Sequence, residues 1–299
     1  MLIVTNSAAG GTDDDTVRLV VAELGEGVDT AGSTDPAQLD ELLDRGHDTV
    51  VVAGGDGSLH AVVNALYRRG ELADRIVGLV PLGTGNDFAQ GMGIPLDAAE
   101  AARLLRGRRP TPVDLLVDDT GEVTVNAVHL GVGAEATRAA QNWKPLLGPA
   151  GFPVGGVLAG VSAKGWHARV EVDGRALVDN DLEILMVGLA NGPFIGGATG
   201  VLSPDARPDD GLVDVVVSHA TGIASRVAYA MDLHRGEHHA RADVTFLQGR
   251  EVAVTGGPFA ISADGEFSEG LESRTWRVLP GALNFLAPPV EDRPATTRP

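Results

Sequence analysis

Apolar runs alternate with amphipathic stretches over the first 110 residues. Residues 49–53 form a continuous apolar run, which is typical of a strand covered on both faces. Residues 58–69 place apolar side chains on one helical stripe, and Gly70 then ends the predicted helix. Further strands are predicted at 1–5 and 75–82, and further helices at 12–24, 35–46 and 97–107. This β-α alternation predicts a parallel sheet with helices on both faces.

The pattern changes after Val113, where short β-rich stretches are separated by Gly, Asp and Pro turns. These stretches are 123–130, 168–173, 181–189, 212–218, 243–247, 251–255 and 275–286. Their length and spacing predict an antiparallel β-sandwich. The chain therefore divides into an α/β part and an all-β part.

Composition excludes several classes of function. The chain of 299 residues has no cysteine, which excludes disulfides and thiolate sites. Its 23 basic and 41 acidic residues give a net charge of −18, which argues against nucleic acid as a partner. Neither a targeting segment nor an apolar run near the ~18 residues of a membrane span is visible. We therefore expect a cytoplasmic protein that at most lies peripherally on the inner face of the membrane.

A glycine-rich segment at 54–58 (Gly-Gly-Asp-Gly-Ser) lies between a predicted strand and a predicted helix. Glycines allow the backbone close to a ligand, and the N-terminus of the following helix suits phosphate. Asp56 would repel phosphate unless Mg²⁺ or hydrogen bonds stand between them. A tight turn with a capping residue is the alternative interpretation.

A second loop, 81–89, follows the next predicted strand and is rich in Gly, Thr, Asn and Asp. In a parallel sheet both loops lie at the carboxyl ends of their strands, where ligands of open α/β sheets bind. Two such loops at one edge favour a binding site over two unrelated turns.

Two of the Asp-Gly dipeptides in the all-β part carry candidate chemistry. Asp264-Gly265-Glu266 follows the apolar stretch 259–262, and Asp210-Gly211 precedes Leu212. Asp-Gly commonly forms type I′ hairpin turns, so pattern alone favours a turn at each place.

Taken together, these segments resemble the diacylglycerol kinase catalytic domain family, in the bacterial lipid kinase branch that is related to sphingosine and ceramide kinases. The resemblance covers nearly the whole chain. It rests on Asn6 with Gly10 and on 54–58, 81–89, 113–115, 147–149, 191–197, 204–206, 210–214 and 264–266.

The resemblance implies an α/β ATP-binding domain over 1–115, to which the segment 279–299 returns. It also implies a β-sandwich lipid-substrate domain over 116–278, with the active site in the cleft between the two. The expected activity is transfer of the γ-phosphate of ATP, with Mg²⁺, to a lipid hydroxyl in phospholipid metabolism.

The resemblance also implies roles for individual residues. Asp264 would be the general base and Glu266 would assist it. The nucleotide would be bound by Asn6, Thr30, Gly54, Gly55, Asp56, Gly57, Ser58, Leu59, His60, Ala61, Gly83, Thr84, Gly85, Asn86 and Asp87. A catalytic Mg²⁺ network would use Asp56, Asp87 and Asp114, and a structural Mg²⁺ would be held by Asp210 with the carbonyls of Arg207 and Leu212.

The chain departs from the family pattern at several positions. Ser58 replaces the usual Thr, Ala61 stands where many relatives carry Glu, and Glu135 stands where Asp is more usual. Asn6 also lacks the common following Pro. None of these changes removes an expected catalytic carboxylate.

The sequence motifs describe the phosphate donor better than the phosphate acceptor. Diacylglycerol is the first candidate, and phosphatidylglycerol, a sphingoid base or ceramide are alternatives. NAD is a further alternative, because NAD kinases share the Gly-Gly-Asp-Gly element, and a non-catalytic nucleotide- or lipid-binding relative is another. A homodimer is left open.

Residues 136–170 contain no acidic side chain, although the chain as a whole is acidic. They hold Trp143, Trp166 and four basic residues, Arg138, Lys144, Lys164 and Arg169. One hypothesis is that 138–169 contacts the membrane interface, where Trp and basic side chains are favoured. Packing of the apolar residues into the sandwich is the alternative.

Two other motifs carry little weight. His234 to His238 fits the inverted zinc-protease pattern, but Gly236 weakens the helix that this site needs. Residues 131–136 resemble part of a dinucleotide fingerprint, yet lack an acidic residue at the ribose-binding distance.

Overall fold

The computed structural model describes residues 1–6, 14–33, 35–132, 134 and 165–289. The N-terminal part contains four parallel strands in the order β4-β3-β1-β2. They are β1 (Leu2–Asn6), β2 (Asp29–Ser33), β3 (Thr49–Gly54) and β4 (Ile76–Pro81). Strands β3 and β4 are almost entirely buried, as their unbroken apolar sequence predicts.

The described residues of this part form five helices. They are α1 (Asp14–Leu24), α2 (Pro36–Leu43), α3 (Asp56–Arg68), α4 (Asp87–Gly91) and α5 (Ala98–Leu105). Helix α1 packs against α5, and α2 packs against α3. The Asp35 side chain accepts a hydrogen bond from the Gln38 N–H at 3.0 Å, which caps α2.

The remaining strands are antiparallel to their partners, except where the last strand meets β4. They are β5 (Thr111–Asp118), β6 (Val123–Thr124), β7 (Ala127–Gly131), β8 (Trp166–Val172), β9 (Arg175–Val178), β10 (Glu183–Ile184), β11 (Met186–Ala190), β12 (Phe194–Ile195), β13 (Gly200–Val201), β14 (Val213–Ser218), β15 (Val244–Gly249), β16 (Glu251–Ala263) and β17 (Glu266–Phe285). A sixth helix, α6 (Ile223–Arg235), connects β14 to β15.

The long strand β17 joins the two parts of the molecule. Its first half pairs with β16, and Trp276 is buried in the sandwich core. Its end pairs with β5 and with β4, and there Leu283 and Phe285 enter the core of the α/β part. One strand therefore contributes to both hydrophobic cores, and this holds the sandwich against the parallel sheet.

The predicted fold class is confirmed: a parallel α/β part is followed by a β-sandwich-like part. Among the described elements, the sequence pattern missed β2, β5, β9, β12, β13, α4 and α6. Strand β2 has the sequence Asp-Thr-Ala-Gly-Ser and alternates between half-buried and exposed, so it lacks the apolar run of an inner strand. Helix α6 buries only Tyr229 completely, which explains its weak signal.

Several predicted features lie outside the described residues. These are Gly10, Gly133, Glu135, the segment 147–149, most of the membrane-contact segment and the C-terminal tail. At the described end of that segment, Trp166 packs on Phe259 with ring centroids 5.2 Å apart, and Arg169 pairs with Glu171 and Asp179. These contacts agree with packing of this end of the segment against the sandwich. Membrane contact by the other residues of 138–169 remains a prediction.

No helix within the described ranges has the length and apolar character that crossing a membrane requires.

Candidate active site

Two glycine-containing loops touch at the carboxyl ends of β3 and β4. The Leu82 N–H donates to the Gly54 carbonyl at 2.9 Å. A Cβ atom added to Gly83 would lie only 2.5 Å from the Cα of Gly55, and one added to Gly55 would lie 2.9 Å from the Cα of Gly83. Contact this close needs glycine on both sides. The predicted convergence of the two loops is thus a direct backbone contact.

Asp56 connects the first loop to the short helix after the second loop. Its carboxylate accepts hydrogen bonds from the N–H groups of Asp87 (3.0 Å) and Phe88 (3.2 Å), which start helix α4. Asn86 precedes this helix with a left-handed backbone (φ 54°) and bonds both polar groups of Gly83 through its side chain. The carboxylate therefore caps a helix that is distant in sequence.

Asp87 in turn connects α4 to a loop of the all-β part. Its carboxylate accepts from the N–H groups of Gly197 (3.1 Å) and Ala198 (2.6 Å). Gly196, Gly197 and Ala198 all have positive φ, so consecutive N–H groups of this loop form a concave anion-binding turn. The sequence analysis quoted 191–197 as part of the resemblance but assigned this loop no role in the site.

Asp264 lies in the hairpin turn between β16 and β17, and both Asp264 and Gly265 have positive φ as a type I′ turn requires. Its carboxylate accepts from the N–H groups of Val125 (2.6 Å), Asn126 (2.8 Å) and Ala127 (3.2 Å). The turn interpretation is therefore correct, and it is compatible with a functional carboxylate.

Asp56, Asp87 and Asp264 come from three distant segments, and we call them the cleft carboxylates. Burial, followed by the charge of Asp87, raises the pKa of Asp56 to about 6. Burial also raises the pKa of Asp87. The charge of Asp264 contributes in the same direction to both. Mutual repulsion of this kind requires the three groups to lie in one low-dielectric region.

His60, expected to bind nucleotide, directs its ring at Asp264 instead. Its Nδ1 is 3.1 Å from Asp264 Oδ2, and its Nε2 is 3.0 Å from Glu122 Oε1. The sequence pattern did not single out Glu122, which follows the turn Asp-Asp-Thr-Gly at 118–121 and is exposed. It also missed His129, a histidine within the apolar strand β7, whose pKa burial lowers to about 4.

A second acidic group has contacts of its own, and we call its members, Asp114, Asp210 and Asp214, the strap carboxylates. Asp114 accepts from the N–H groups of Gly211 and Gly281, both at 2.6 Å, and so ties two segments together. Its charge raises the pKa of Asp210, although burial is the main cause. The structure thus groups Asp114 with Asp210, whereas the expected Mg²⁺ network grouped it with Asp56 and Asp87.

Other strap contacts are local. The Asp210 carboxylate accepts from the Leu212 N–H at 2.9 Å, and Arg207 pairs with Asp209. Asp214 accepts from the Ser203 hydroxyl and from Gln248 Nε2, and burial raises its pKa. In these contacts the backbone N–H of Leu212 faces Asp210. The expected structural Mg²⁺ site would instead use the carbonyl of Leu212.

The remaining expected nucleotide residues are spread over the same edge of the sheet. Asn6 ends β1 opposite Ser33, and Leu59 packs into the core. Thr30 is exposed on β2 and lies opposite Ile3, whose other neighbour Val51 is three residues before the first loop. Thr30 therefore lies further from the carboxyl ends of the strands than the two loops do. Glu266 begins β17, directly after the Asp264 turn.

Carboxylate oxygens are the ligand type that Mg²⁺ prefers, and such sites often use one or two carboxylates with substrate phosphates. Asp56 and Asp87 fit this chemistry because they are buried, adjacent and mutually repelling. Among the described residues, no three acidic or histidine side chains converge as an all-protein metal site. Asp56 and Asp87 would therefore suit a Mg²⁺ ion that is also bound by phosphate oxygens.

The inverted zinc-protease pattern is not a site. Helix α6 ends at Arg235, and Gly236 follows with φ 74°. His234 is therefore on α6, while His238 lies on a separate 3₁₀ turn and bonds the Leu202 carbonyl. The two rings do not share one helix, as that chemistry requires.

Comparison with known proteins adds the following findings. Residues 1–117 match the diacylglycerol kinase catalytic domain, and residues 126–287 match the YegS C-terminal NAD kinase beta sandwich-like domain. A "Probable lipid kinase YegS-like" protein of Pseudomonas aeruginosa strain PAO1 is 33% identical over 255 residues, covering 84% of this chain and 80% of that protein. One of the same description from Stenotrophomonas maltophilia is 36% identical over 187 residues, covering 59% of this chain and 58% of that relative.

Solved structures are similar over almost the full length. A diacylglycerol kinase from Bacillus anthracis superimposes with a TM-score of 0.72 at 19% identity, covering 96% of each chain. An NAD kinase from Archaeoglobus fulgidus, solved in complex with ATP, gives a TM-score of 0.53 at 14% identity, covering 93% of this chain and 89% of that chain. At these identities the structures support the fold alone.

Proposed function

Because the chain belongs to the diacylglycerol kinase catalytic domain family, in its YegS-like lipid kinase branch, we propose that it transfers the γ-phosphate of ATP to a lipid hydroxyl. The first candidate acceptor is diacylglycerol, with phosphatidic acid as product. The observation that carries this proposal is that Asp56 and Asp87 lie at two touching glycine loops on the carboxyl edge of a parallel sheet, with Asp264 close enough to raise the pKa of both.

The glycine loops supply the nucleotide site. Helix α3 begins at Asp56, and its N-cap, Gly55, makes no side-chain capping bond. Phosphate oxygens suit such a helix N-terminus, since its N–H groups and dipole favour negative charge. Asp56 and Asp87 would hold Mg²⁺, which supplies charge neutralisation for the phosphates when bound.

Asp264 is the proposed general base. The lipid oxygen forms a bond to the γ-phosphorus, the bond from phosphorus to the β–γ bridging oxygen breaks, and the hydroxyl proton passes to Asp264. The carboxylate already accepts three backbone N–H groups and faces His60 Nδ1 at 3.1 Å, so a lipid hydroxyl must replace or share one of these contacts. The contact from Ala127 is the longest, at 3.2 Å, and is the one we expect to yield.

The acceptor is to be identified with purified protein, Mg²⁺ and labelled ATP. Mixed micelles would carry diacylglycerol, phosphatidylglycerol, ceramide or sphingosine, and NAD would be tested as a soluble acceptor in parallel. We expect labelled product from diacylglycerol on thin-layer chromatography. Label in NAD alone would contradict the lipid acceptor, and ATP binding without product from any acceptor would favour a non-catalytic relative.

A further inference from the structure

His60 bridges two carboxylates that come from different parts of the chain. It lies on α3, while Asp264 is in the β16–β17 turn and Glu122 directly precedes β6. The exposed fraction of the side chains is 2% for Asp264, 7% for His60 and 47% for Glu122. The three groups therefore form a hydrogen-bonded path from a buried carboxylate to solvent.

Asn64 lies beside the imidazole, with its Nδ2 3.3 Å from His60 Nε2. The Asn64 Oδ1 accepts from the Val123 N–H at 2.8 Å, which sets the orientation of the amide. Its Nδ2 donates to the carbonyl oxygens of Val123 (2.7 Å) and His60 (3.0 Å). Both amide hydrogens are thus engaged, and a proton on His60 Nε2 is directed to Glu122.

The charges around the ring favour proton uptake. Asp264 and Glu122 are the charged groups that face it from the packed elements, and its contact on α3 is the neutral Asn64. Burial alone would lower the pKa of His60, but hydrogen bonds and charge from the two carboxylates outweigh burial and raise it. Histidine is the side chain whose ordinary titration lies closest to physiological pH, so a ring between two carboxylates can accept a proton on one side and release one on the other.

We propose that His60 is a positioning residue that conducts the proton taken up by Asp264 to Glu122 and so returns the general base to its ionised form. This inference rests on the proposed kinase function. The step starts with protonated Asp264 and with His60 neutral, carrying its proton on Nε2. Asp264 releases its proton to Nδ1, the Nε2 proton passes to Glu122, and the exposed Glu122 carboxyl releases a proton to solvent. His60 is then left with its proton on Nδ1, and exchange with solvent must restore the Nε2 tautomer before the next turnover. The overall reaction then balances as alcohol and ATP giving phosphate monoester, ADP and one proton.

A purely structural role for His60 makes a different prediction. In that case the ring only ties α3 to the sandwich turn, and any side chain that keeps the hydrogen bond to Asp264 would suffice. Asparagine is the useful probe, because its Nδ2 can take the place of the Nδ1 donor but cannot conduct a proton.

The kinetic test compares His60→Asn with wild type and with His239→Asn, which changes an exposed histidine. Using the lipid acceptor found above, we expect His60→Asn to lower kcat on the order of 10²-fold, the lower range for acid–base roles, with little change in KM for ATP. Wild-type kcat should rise with pH as His60 becomes neutral, and this inflection should vanish in His60→Asn. His60→Ala should recover activity with added imidazole. Wild-type kcat and pH profile in His60→Asn would overturn the relay while leaving the kinase function intact.

A second measurement needs no lipid. The imidazole of His60 is titrated by NMR in wild type, Asp264→Asn and Glu122→Gln, and we expect its pKa to fall in both variants. A titration that neither variant changes would overturn the relay even if the kinase is active. Absence of phosphorylation by wild type on every acceptor would instead overturn the proposed function, and the relay with it, even where the NMR titration responds.

Discussion

The cleft carboxylates and the strap carboxylates use the same bonding pattern in different places. In both groups buried aspartates accept backbone N–H groups and thereby join distant segments. The cleft group lies where two glycine loops touch, and it includes Asp56, whose pKa is raised to about 6. The strap group ties the 208–212 loop to β17. Hydrogen bonding by itself therefore does not distinguish a catalytic acid from a structural one, whereas position and charge coupling do.

The largest expected difference separates Asp264 from Asp114. Asp264→Asn should reduce lipid phosphorylation by about 10²–10⁴-fold, because an amide cannot accept the proton, while ATP binding survives. Asp114→Asn should instead lower the free energy of unfolding by about 1–3 kcal/mol, since one buried N–H loses its acceptor. The measurements are the thin-layer assay, nucleotide titration and urea unfolding. Turnover equal to wild type in Asp264→Asn would remove that residue from its role.

Stability should depend on pH through Asp56. Its folded pKa is raised from 3.8 to about 6, so its favourable contribution is complete below about pH 4 and is lost as pH rises through 6. At about 1.4 kcal/mol per pKa unit, wild type should lose on the order of 2–3 kcal/mol relative to Asp56→Asn between pH 4 and 7. Urea unfolding at each pH measures this difference, and Asp97→Asn, which removes the charge of an exposed helix cap but keeps an acceptor oxygen, is the control. A difference that does not vary with pH would contradict the shift.

The loop contact can be tested with two alanine substitutions. Gly83→Ala should destabilise the protein by about 1–3 kcal/mol, because the new Cβ meets backbone atoms of Gly55 that cannot move aside. Gly57→Ala places its Cβ in open space in the first turn of α3 and should be neutral or slightly stabilising. Thermal unfolding of the two variants gives the answer. Equal melting temperatures would show that the loops separate without cost.

The smallest effect is expected within the strap group. Ser203→Ala removes a hydroxyl donor from the buried Asp214, which keeps its bond from Gln248. We expect a loss of about 1 kcal/mol at neutral pH, the typical value of one hydrogen bond. Burial raises the pKa of Asp214, so protonation at low pH should make the loss smaller. A loss that grows as pH falls would contradict this account.

Much of the site could be predicted from the sequence. The two loops at 54–58 and 81–89 follow buried apolar runs, and parallel strands bring their carboxyl ends to one edge. Asp-Gly at 264 was correctly identified as a hairpin turn by its local chemistry, and the resemblance pointed to its carboxylate. Pairing of Asp56 with the start of α4 was not predictable, because a helix cap that comes from another helix leaves no local signal.

The sequence by itself determined the parallel α/β part, the antiparallel part and the glycine loops, because periodicity and turn chemistry act over a few neighbouring residues. Only the tertiary structure decided which acids share a low-dielectric region and which lie apart. Asp114 resembles the other expected metal ligands in sequence, yet its contacts run to Gly211 and Gly281. His60 belongs to the glycine motif, yet it faces Asp264, 204 residues away. Such pairings depend on how β17 joins the two cores, and no local pattern encodes them.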